Sequence, residues 1–125
     1  MSTTGNFEVD LSPQQDENAP AGRMIINKNY SGGMDGTGTG QMLSKRTDSG
    51  VAVYSAIEEF AGSIEGKNGS FTLIHKGYMS SENQSLEITI LEGSGTDELK
   101  SISGSMTITQ EDGGHQYELN YSLTD

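Results

Sequence analysis

The sequence predicts an all-β protein, a small closed antiparallel β-barrel of about eight strands. Apolar and polar residues alternate through most of the chain, as they do in strands that bury one face. The 17 glycines fall largely between the alternating runs, where tight turns need them. A helical apolar stripe is only weakly suggested, at Ala52–Ala61. Eight strands without an obvious unpaired edge favour closure, because a closed barrel leaves no edge to aggregate.

The first part of the chain supplies two predicted strands and a loop. Phe7 and Val9 open a short first strand. Residues 11–20 contain two prolines and several amide and acidic side chains, so they predict a mobile loop. The next strand covers Met24–Tyr30 and places Lys28 on the same face as its apolar residues.

The glycine-rich stretch Gly36–Gly40 lacks the spacing of a phosphate-binding loop, and no predicted helix follows it. We interpret it as a bent or bulged strand that lets another backbone approach closely. Val51–Ile64 is the longest run, and its apolar residues lie on both faces, as in a strand that is partly buried on both sides or bulged. Glu65–Asn68 has the composition of a four-residue hairpin loop. The remaining predicted strands lie at Ser70–Gly77, Leu86–Ile90, Leu99–Ile108 and, beyond a turn at Asp112–Gly114, His115–Leu123.

The composition indicates one acidic domain, residues 1–125, with a small core. There are 18 acidic and 7 basic residues, and the formal charge of −11 disfavours nucleic acid and anionic membranes as partners. The chain has no cysteine, and no secretory signal or membrane-spanning run is recognisable, so we expect a cytoplasmic protein. Only 31% of the residues are apolar, and we expect a homo-oligomer to bury surface that a small domain cannot.

We expect neither a cofactor nor a metal ion. Acidic pairs such as Asp97–Glu98 lack the alternating oxygen spacing of a calcium loop. Two histidines without any cysteine do not suffice for a structural zinc site.

One acid and one histidine fall on an otherwise apolar face. A loop at Glu65–Asn68 would pair Ile64 with Gly69 and would place Glu58 directly opposite His75. A buried carboxylate needs a partner, because an unpaired buried charge costs on the order of several kcal/mol. Glu58 and His75 are therefore candidate catalytic residues that would donate and accept protons. The alternative is a structural polar pair that bridges two strands.

Residues near this pair would line a ligand pocket if the barrel interior is open. Tyr54 lies on the same face as Glu58, four residues earlier. Two tyrosines alternate with leucines on the last strand, where ordinary core packing is the alternative. The candidate ligand-binding residues are Tyr54, Phe60, Phe71, Leu73, Tyr117 and Tyr121.

Motifs spread over nearly the whole chain share one resemblance. They are Tyr30-Ser-Gly32, Glu58-Glu-Phe-Ala-Gly62, the arm Gly66–Gly77, the turn Gly93–Gly104 and Tyr117-Glu-Leu-Asn-Tyr121. Together they resemble a bacterial family of unknown function with an allene-oxide-cyclase-like β-barrel. The resemblance implies an eight-stranded barrel with a lumen, with the acid and the histidine at Glu58 and His75. It implies no substrate, because the family has no established reaction.

Three functions are compatible with these observations. We expect first that the lumen binds an apolar or oxygenated small molecule. The alternative is an isomerase or cyclase that moves protons through Glu58 and His75 while Tyr54 orients a substrate oxygen. A second alternative is a filled barrel that serves as an oligomeric assembly module.

Overall fold

Eight antiparallel strands close into a barrel in which each strand pairs with its neighbours in sequence and the last pairs with the first. The structure is a computed structural model that describes residues 1–111 and 114–124. The predicted all-β closed barrel is confirmed, whereas most of the predicted turn at Asp112–Gly114 lies outside the described residues. The strands are β1 (Ser2–Gln14), β2 (Gly22–Gly32), β3 (Met34–Arg46), β4 (Ala52–Ile64), β5 (Lys67–Met79), β6 (Gln84–Ile90), β7 (Ser103–Glu111) and β8 (Gly114–Ser122), and a short 3-10 turn lies at Asp97–Leu99.

The first strand is longer than the sequence predicts. β1 continues to Gln14 and pairs with β2 from Gly5 to Gln14, so the predicted mobile loop over residues 11–20 is wrong for its first four residues. Beyond Phe7 it pairs with β2 alone, because the pairing with β8 ends there. Pro13 therefore lies on a free-edge segment, where a strand tolerates proline.

The β4–β5 hairpin is tighter than its composition predicts. Ile64 pairs with Lys67, so the loop contains two residues, Glu65 and Gly66, rather than four. Both have positive φ, 48° and 85°, as a type I′ turn requires. Tertiary contacts hold Glu65 in this conformation, because its carboxylate accepts a hydrogen bond from the Thr3 hydroxyl on β1.

This turn corrects the predicted register between β4 and β5. Glu58 lies opposite Leu73, and His75 lies opposite Ala56, so the prediction that Glu58 directly faces His75 is wrong by two residues. A shift of two residues preserves which face of the sheet each side chain occupies. Both Glu58 and His75 therefore still point into the barrel.

The glycine-rich stretch lies inside β3, which pairs in unbroken register with β2 and with β4. The prediction of a bend or bulge is therefore wrong. The predicted close approach is confirmed, because a Cβ atom on Gly36 would lie 2.2 Å from the carbonyl oxygen of Ala61. The glycines let the β3 backbone lie close to its neighbours at positions where a larger residue would collide with them.

The two ends of the barrel differ. We call the end with the β2–β3 and β4–β5 turns the closed end, and the end with the β1–β2 and β3–β4 connections the open end. At the closed end the chain after β6 runs along β5, where the Thr96 amide donates to the Ser70 carbonyl at 2.9 Å. This segment inserts Leu99, which is completely buried. At the open end, by contrast, several inward-facing side chains keep exposed surface: Val9, Met24, Met42, Tyr54, Leu86 and Ile108.

Candidate functional site

The middle of the barrel holds a buried cluster of four polar side chains, Lys28, Tyr30, Glu58 and His75. Oε1 of Glu58 accepts hydrogen bonds from His75 Nε2 at 2.8 Å and from Lys28 Nζ at 3.0 Å. Oε2 accepts one from the Tyr30 hydroxyl at 2.5 Å. An ionised carboxylate can only accept, so Nε2 of His75 carries the proton in this contact. We name these four residues the ion cluster.

The sequence brings His75 to Glu58 along a diagonal of the sheet. His75 lies opposite Ala56, two residues from Glu58 on β4. Diagonal neighbours in an antiparallel pair are within reach of long side chains. The predicted Glu58–His75 contact is therefore confirmed, although the register that predicted it is wrong.

A glycine on β3 lets the β2 residues reach Glu58. Lys28 and Tyr30 lie on β2, and β3 separates them from β4. A Cβ atom on Gly38 would lie 2.1 Å from Oε2 of Glu58 and 2.9 Å from Cε2 of Tyr30. The ion cluster therefore occupies the space that a side chain at Gly38 would fill.

The cluster keeps Glu58 ionised. Burial alone would raise the pKa of the Glu58 carboxyl, but the hydrogen bond from His75, the charge of Lys28 and the hydrogen bond from Tyr30 outweigh it and lower the pKa to about 2. Burial, together with the negative charge and the hydrogen bond of Glu58, raises the pKa of the Tyr30 hydroxyl. At neutral pH Glu58 is a weak base whose oxygens are already occupied, and Tyr30 is a neutral donor.

An aromatic column links the cluster to the open end. Lys28 Nζ lies 4.7 Å from the centre of the Phe7 ring, which is a cation–π distance. The His115 ring stacks on Phe7 with centroids 5.0 Å apart, and its Nε2 lies 2.9 Å from the Gln110 side-chain amide. His115 and Gln110 are partly or fully exposed at the rim of the open end.

A cavity of about 510 Å³ lies at the open end. Its lining residues at inward positions are Ala52, Tyr54, Gly77, Met79, Gln84, Leu86, Ile108 and Gln110. At its edge it is also lined by the outward-facing Val53, Tyr78 and Ser85. In the described part of the chain β6 and β7 pair only at Ile88–Met106 and Thr89–Ser105, so the two strands separate towards the open end and widen the cavity. Its lining exposes more apolar than polar surface.

Tyr54 is the inward-facing tyrosine that lines this cavity, and its hydroxyl is free. Its ring covers Gly77, where a Cβ atom would lie 2.1 Å from the ring atom Cε1. Burial raises the pKa of the Tyr54 hydroxyl, which therefore stays protonated at neutral pH. Among the described residues no group accepts from or donates to this hydroxyl within hydrogen-bond distance. It is available to a ligand oxygen.

The other predicted ligand-binding residues lie in the packed half of the barrel. Phe60, Phe71 and Leu73 are buried in one apolar cluster with the tyrosines of β8, away from the cavity. The Tyr117 hydroxyl accepts from the Met34 amide and donates to the Ser31 carbonyl, both at 2.8 Å, so it pins the β2–β3 turn. Tyr121 is also buried in this cluster. Of the six predicted ligand-binding residues, the cavity is lined by Tyr54 alone.

Sequence reasoning missed Lys28 and Tyr30 as members of the cluster, and Ile108 and Gln110 as cavity residues. A signal for Lys28 exists, because a lysine on the buried face of a strand needs an anionic partner. That partner lies across a third strand, and only the glycines of β3 indicate that it can be reached. The separation of β6 from β7 has no comparable signal in the sequence.

The described residues contain no group of three or more histidine, cysteine, aspartate or glutamate side chains arranged to hold a metal ion. Nor do they form a helix of the length and apolarity required to cross a membrane.

The fold and the site define a class: small eight-stranded antiparallel barrels with one packed end, one open end and an ion cluster between them. Residues 3–121 match the family described as "Protein of unknown function (DUF3224)", and the chain belongs to this family. The predicted membership of a bacterial β-barrel family of unknown function is confirmed. Its likeness to allene oxide cyclases stays a prediction.

A solved structure is similar over the whole chain. It is the crystal structure of a protein of unknown function from the DUF3224 family of Shewanella oneidensis MR-1, 34% identical in sequence, with a TM-score of 0.93. The match covers 100% of this chain and 98% of that one. No curated protein is detectably similar to this chain.

Proposed function

We propose that the protein binds an apolar small molecule carrying at least one acceptor oxygen, in the cavity at the open end of the barrel. One observation carries the proposal: apolar inward-facing side chains around a cavity of about 510 Å³ stay partly exposed, and the unpartnered hydroxyl of the inward-facing Tyr54 lies among them. Ligand pockets typically combine apolar walls with a few polar groups that fix orientation. Tyr54 is protonated, so it would donate to a carbonyl, ether or hydroxyl oxygen.

Binding fits the site better than proton transfer through Glu58. A general base needs a pKa near the working pH and access to the proton that it removes. Glu58 is fully buried, its pKa is held at about 2, and both oxygens accept hydrogen bonds from the protein. In this proposal the ion cluster stabilises the barrel without lining the cavity, and the isomerase alternative is the weaker one.

The test is an NMR titration with 2-nonanone, an apolar chain with a single carbonyl acceptor, and with nonane as its hydrocarbon counterpart. We expect saturable shifts at the amides of Gly77, Leu86 and Ile108. Tyr54→Phe is expected to weaken binding of the ketone by roughly three- to tenfold and to leave nonane unaffected, because one neutral hydrogen bond is lost.

A matched pair of leucine variants tests the location. Leu86 and Leu91 are almost equally exposed, at 44% and 45%, but only Leu86 lines the cavity. Leu86→Trp should fill the cavity and abolish the shifts, whereas Leu91→Trp should leave them intact. The proposal would be abandoned if ketones and alcohols of this size caused no saturable shifts at the cavity, or if both tryptophan variants behaved alike.

A further inference from the structure

We propose that the ligand of the open-end cavity is an apolar secondary amide, whose N–H group donates to a free backbone carbonyl in the gap between β6 and β7. This inference rests on the proposed function, because it names the chemical class of the molecule that is bound at that site. It starts from backbone carbonyls of the cavity wall that a ketone or an ether, which has no donor, cannot use.

The backbone of β6 directs every second residue towards β7. The residues that flank β6 both bond on the β5 side: the Asn83 carbonyl accepts from the Ser80 amide at 2.8 Å, and the Leu91 amide donates to the Thr72 carbonyl at 2.9 Å. Hydrogen-bonded and non-hydrogen-bonded pairs alternate along an antiparallel ladder. The odd-numbered residues of β6 therefore bond to β5, and the even-numbered ones direct their N–H and C=O groups towards β7.

Towards the open end these groups have no ladder partner in the part of the chain that the structure describes. Ile88 forms a pair with Met106 of β7, but Leu86, two residues closer to the open end, forms none. The continued register places Leu86 opposite Ile108, which lies two residues beyond Met106. By the same alternation the N–H and C=O groups of Ile108 point towards β6. Two strand edges with free donors and acceptors therefore face each other.

The cavity extends into this gap. Its lining includes Gln84 and Leu86 from the edge of β6, Ile108 and Gln110 from the edge of β7, and the outward-facing Ser85. A free edge can recruit a further strand, but two residues on each side are fewer than a strand normally has. The free backbone groups therefore suit a single amide group of a small molecule.

A trans secondary amide matches both sides of the cavity. Its C=O and N–H groups point in opposite directions, because the amide is planar and trans. Tyr54 pairs with Gly77, and Gly77 pairs with Leu86, so Tyr54 lies at the level of the gap on the β4 side. The amide oxygen accepts from the Tyr54 hydroxyl, and the amide N–H donates to the free carbonyl of Leu86 or Ile108. The two alkyl chains of the ligand contact the apolar lining.

The test is an NMR titration of the full chain with N-butylpentanamide and with butyl pentanoate, an ester of the same length in which oxygen replaces the N–H group. We expect the amide to bind roughly three- to tenfold more tightly, because its N–H adds one neutral hydrogen bond. The carbonyl ¹³C resonance of Leu86 or Ile108 should move downfield with the amide and stay in place with the ester.

Tyr54→Phe is the control, because it removes the contact to the carbonyl oxygen that both molecules share. It should weaken both by the same factor and leave the ratio of the two Kd values unchanged. An ester that binds as tightly as the amide, or a ratio that disappears in Tyr54→Phe, would overturn this inference and leave the proposed function standing. Binding of neither molecule at the cavity would overturn both.

Discussion

The closed and open halves of this barrel are built from the same strands with the same alternation, yet only one half is filled. Towards the closed end the inward positions of β4 and β5 carry Phe60, Phe71 and Leu73, whose rings and branches pack against each other. Towards the open end the same strands carry Ala56 and Gly77. The small side chains at Ala56 and Gly77, together with the separation of β6 from β7, therefore leave the open half of the barrel unfilled.

The ion cluster lies at the boundary between the two halves. Like the closed half, it is buried and its polar atoms are bonded within the protein. Its oxygens and nitrogens are satisfied within the protein, and no buried side-chain polar atom in the described residues lacks a partner. The following predictions compare equivalent changes in the two halves or on the two faces of one strand. They run from the largest expected effect to the smallest.

Replacing Glu58 by glutamine should lower the free energy of unfolding by about 3–5 kcal/mol, because it leaves the Lys28 ammonium buried without its counter-charge. Urea unfolding measures this change. The matched control is Glu59→Gln, the next residue on β4, which points outward and is exposed. Its effect should stay within about 0.5 kcal/mol. Equal effects of the two variants would mean that the cluster does not carry this stability.

Two leucine-to-alanine changes compare the halves directly. Leu99→Ala at the closed end should cost about 2–5 kcal/mol, because a fully buried side chain leaves a cavity. Leu86→Ala at the open end should cost less than about 1 kcal/mol, because its side chain is 44% exposed. Denaturant unfolding of both variants measures the two losses in the free energy of unfolding. Similar losses would show that the open half is packed in solution.

Acid should remove the contribution of Glu58. Its folded pKa is depressed from 4.5 to about 2, so the stability it adds is complete above pH 4.5 and is lost as the pH falls towards 2. The loss is on the order of 3 kcal/mol. The free energy of unfolding measured across this window should fall more steeply in the wild type than in Glu58→Gln. Parallel pH profiles would contradict the depressed pKa.

The fold could be predicted from the sequence because alternation and turn residues report local preferences. The errors occurred where tertiary contacts override those preferences. Glu65 adopts a positive φ that its residue type disfavours, and its contacts with Thr3 on β1 and with Gly33 in the β2–β3 turn hold it there. Composition alone favours a four-residue loop over the two-residue turn that these contacts stabilise.

Part of the candidate site could also be predicted from the local alternation of the strands. The inward placement of Glu58 and His75 survives an error of two residues, because the side-chain period of a strand is two. Lys28 and Tyr30 on β2 reach Glu58 on β4 across the glycines of β3, and a prediction made strand by strand does not include contacts across a third strand. The open cavity depends on where β6 and β7 separate, and no local pattern encodes that separation.

The prediction with the smallest expected effect compares the loss of a hydroxyl group from two tyrosines, one in each half of the barrel. Tyr117→Phe should cost about 1–3 kcal/mol, because it leaves the buried Met34 amide without an acceptor. Tyr54→Phe should change the free energy of unfolding by less than about 0.5 kcal/mol, because its hydroxyl bonds to no described group. Thermal unfolding compares the two. A loss at Tyr54 as large as that at Tyr117 would reveal a structural partner for the Tyr54 hydroxyl and would remove it as a group free to bind a ligand.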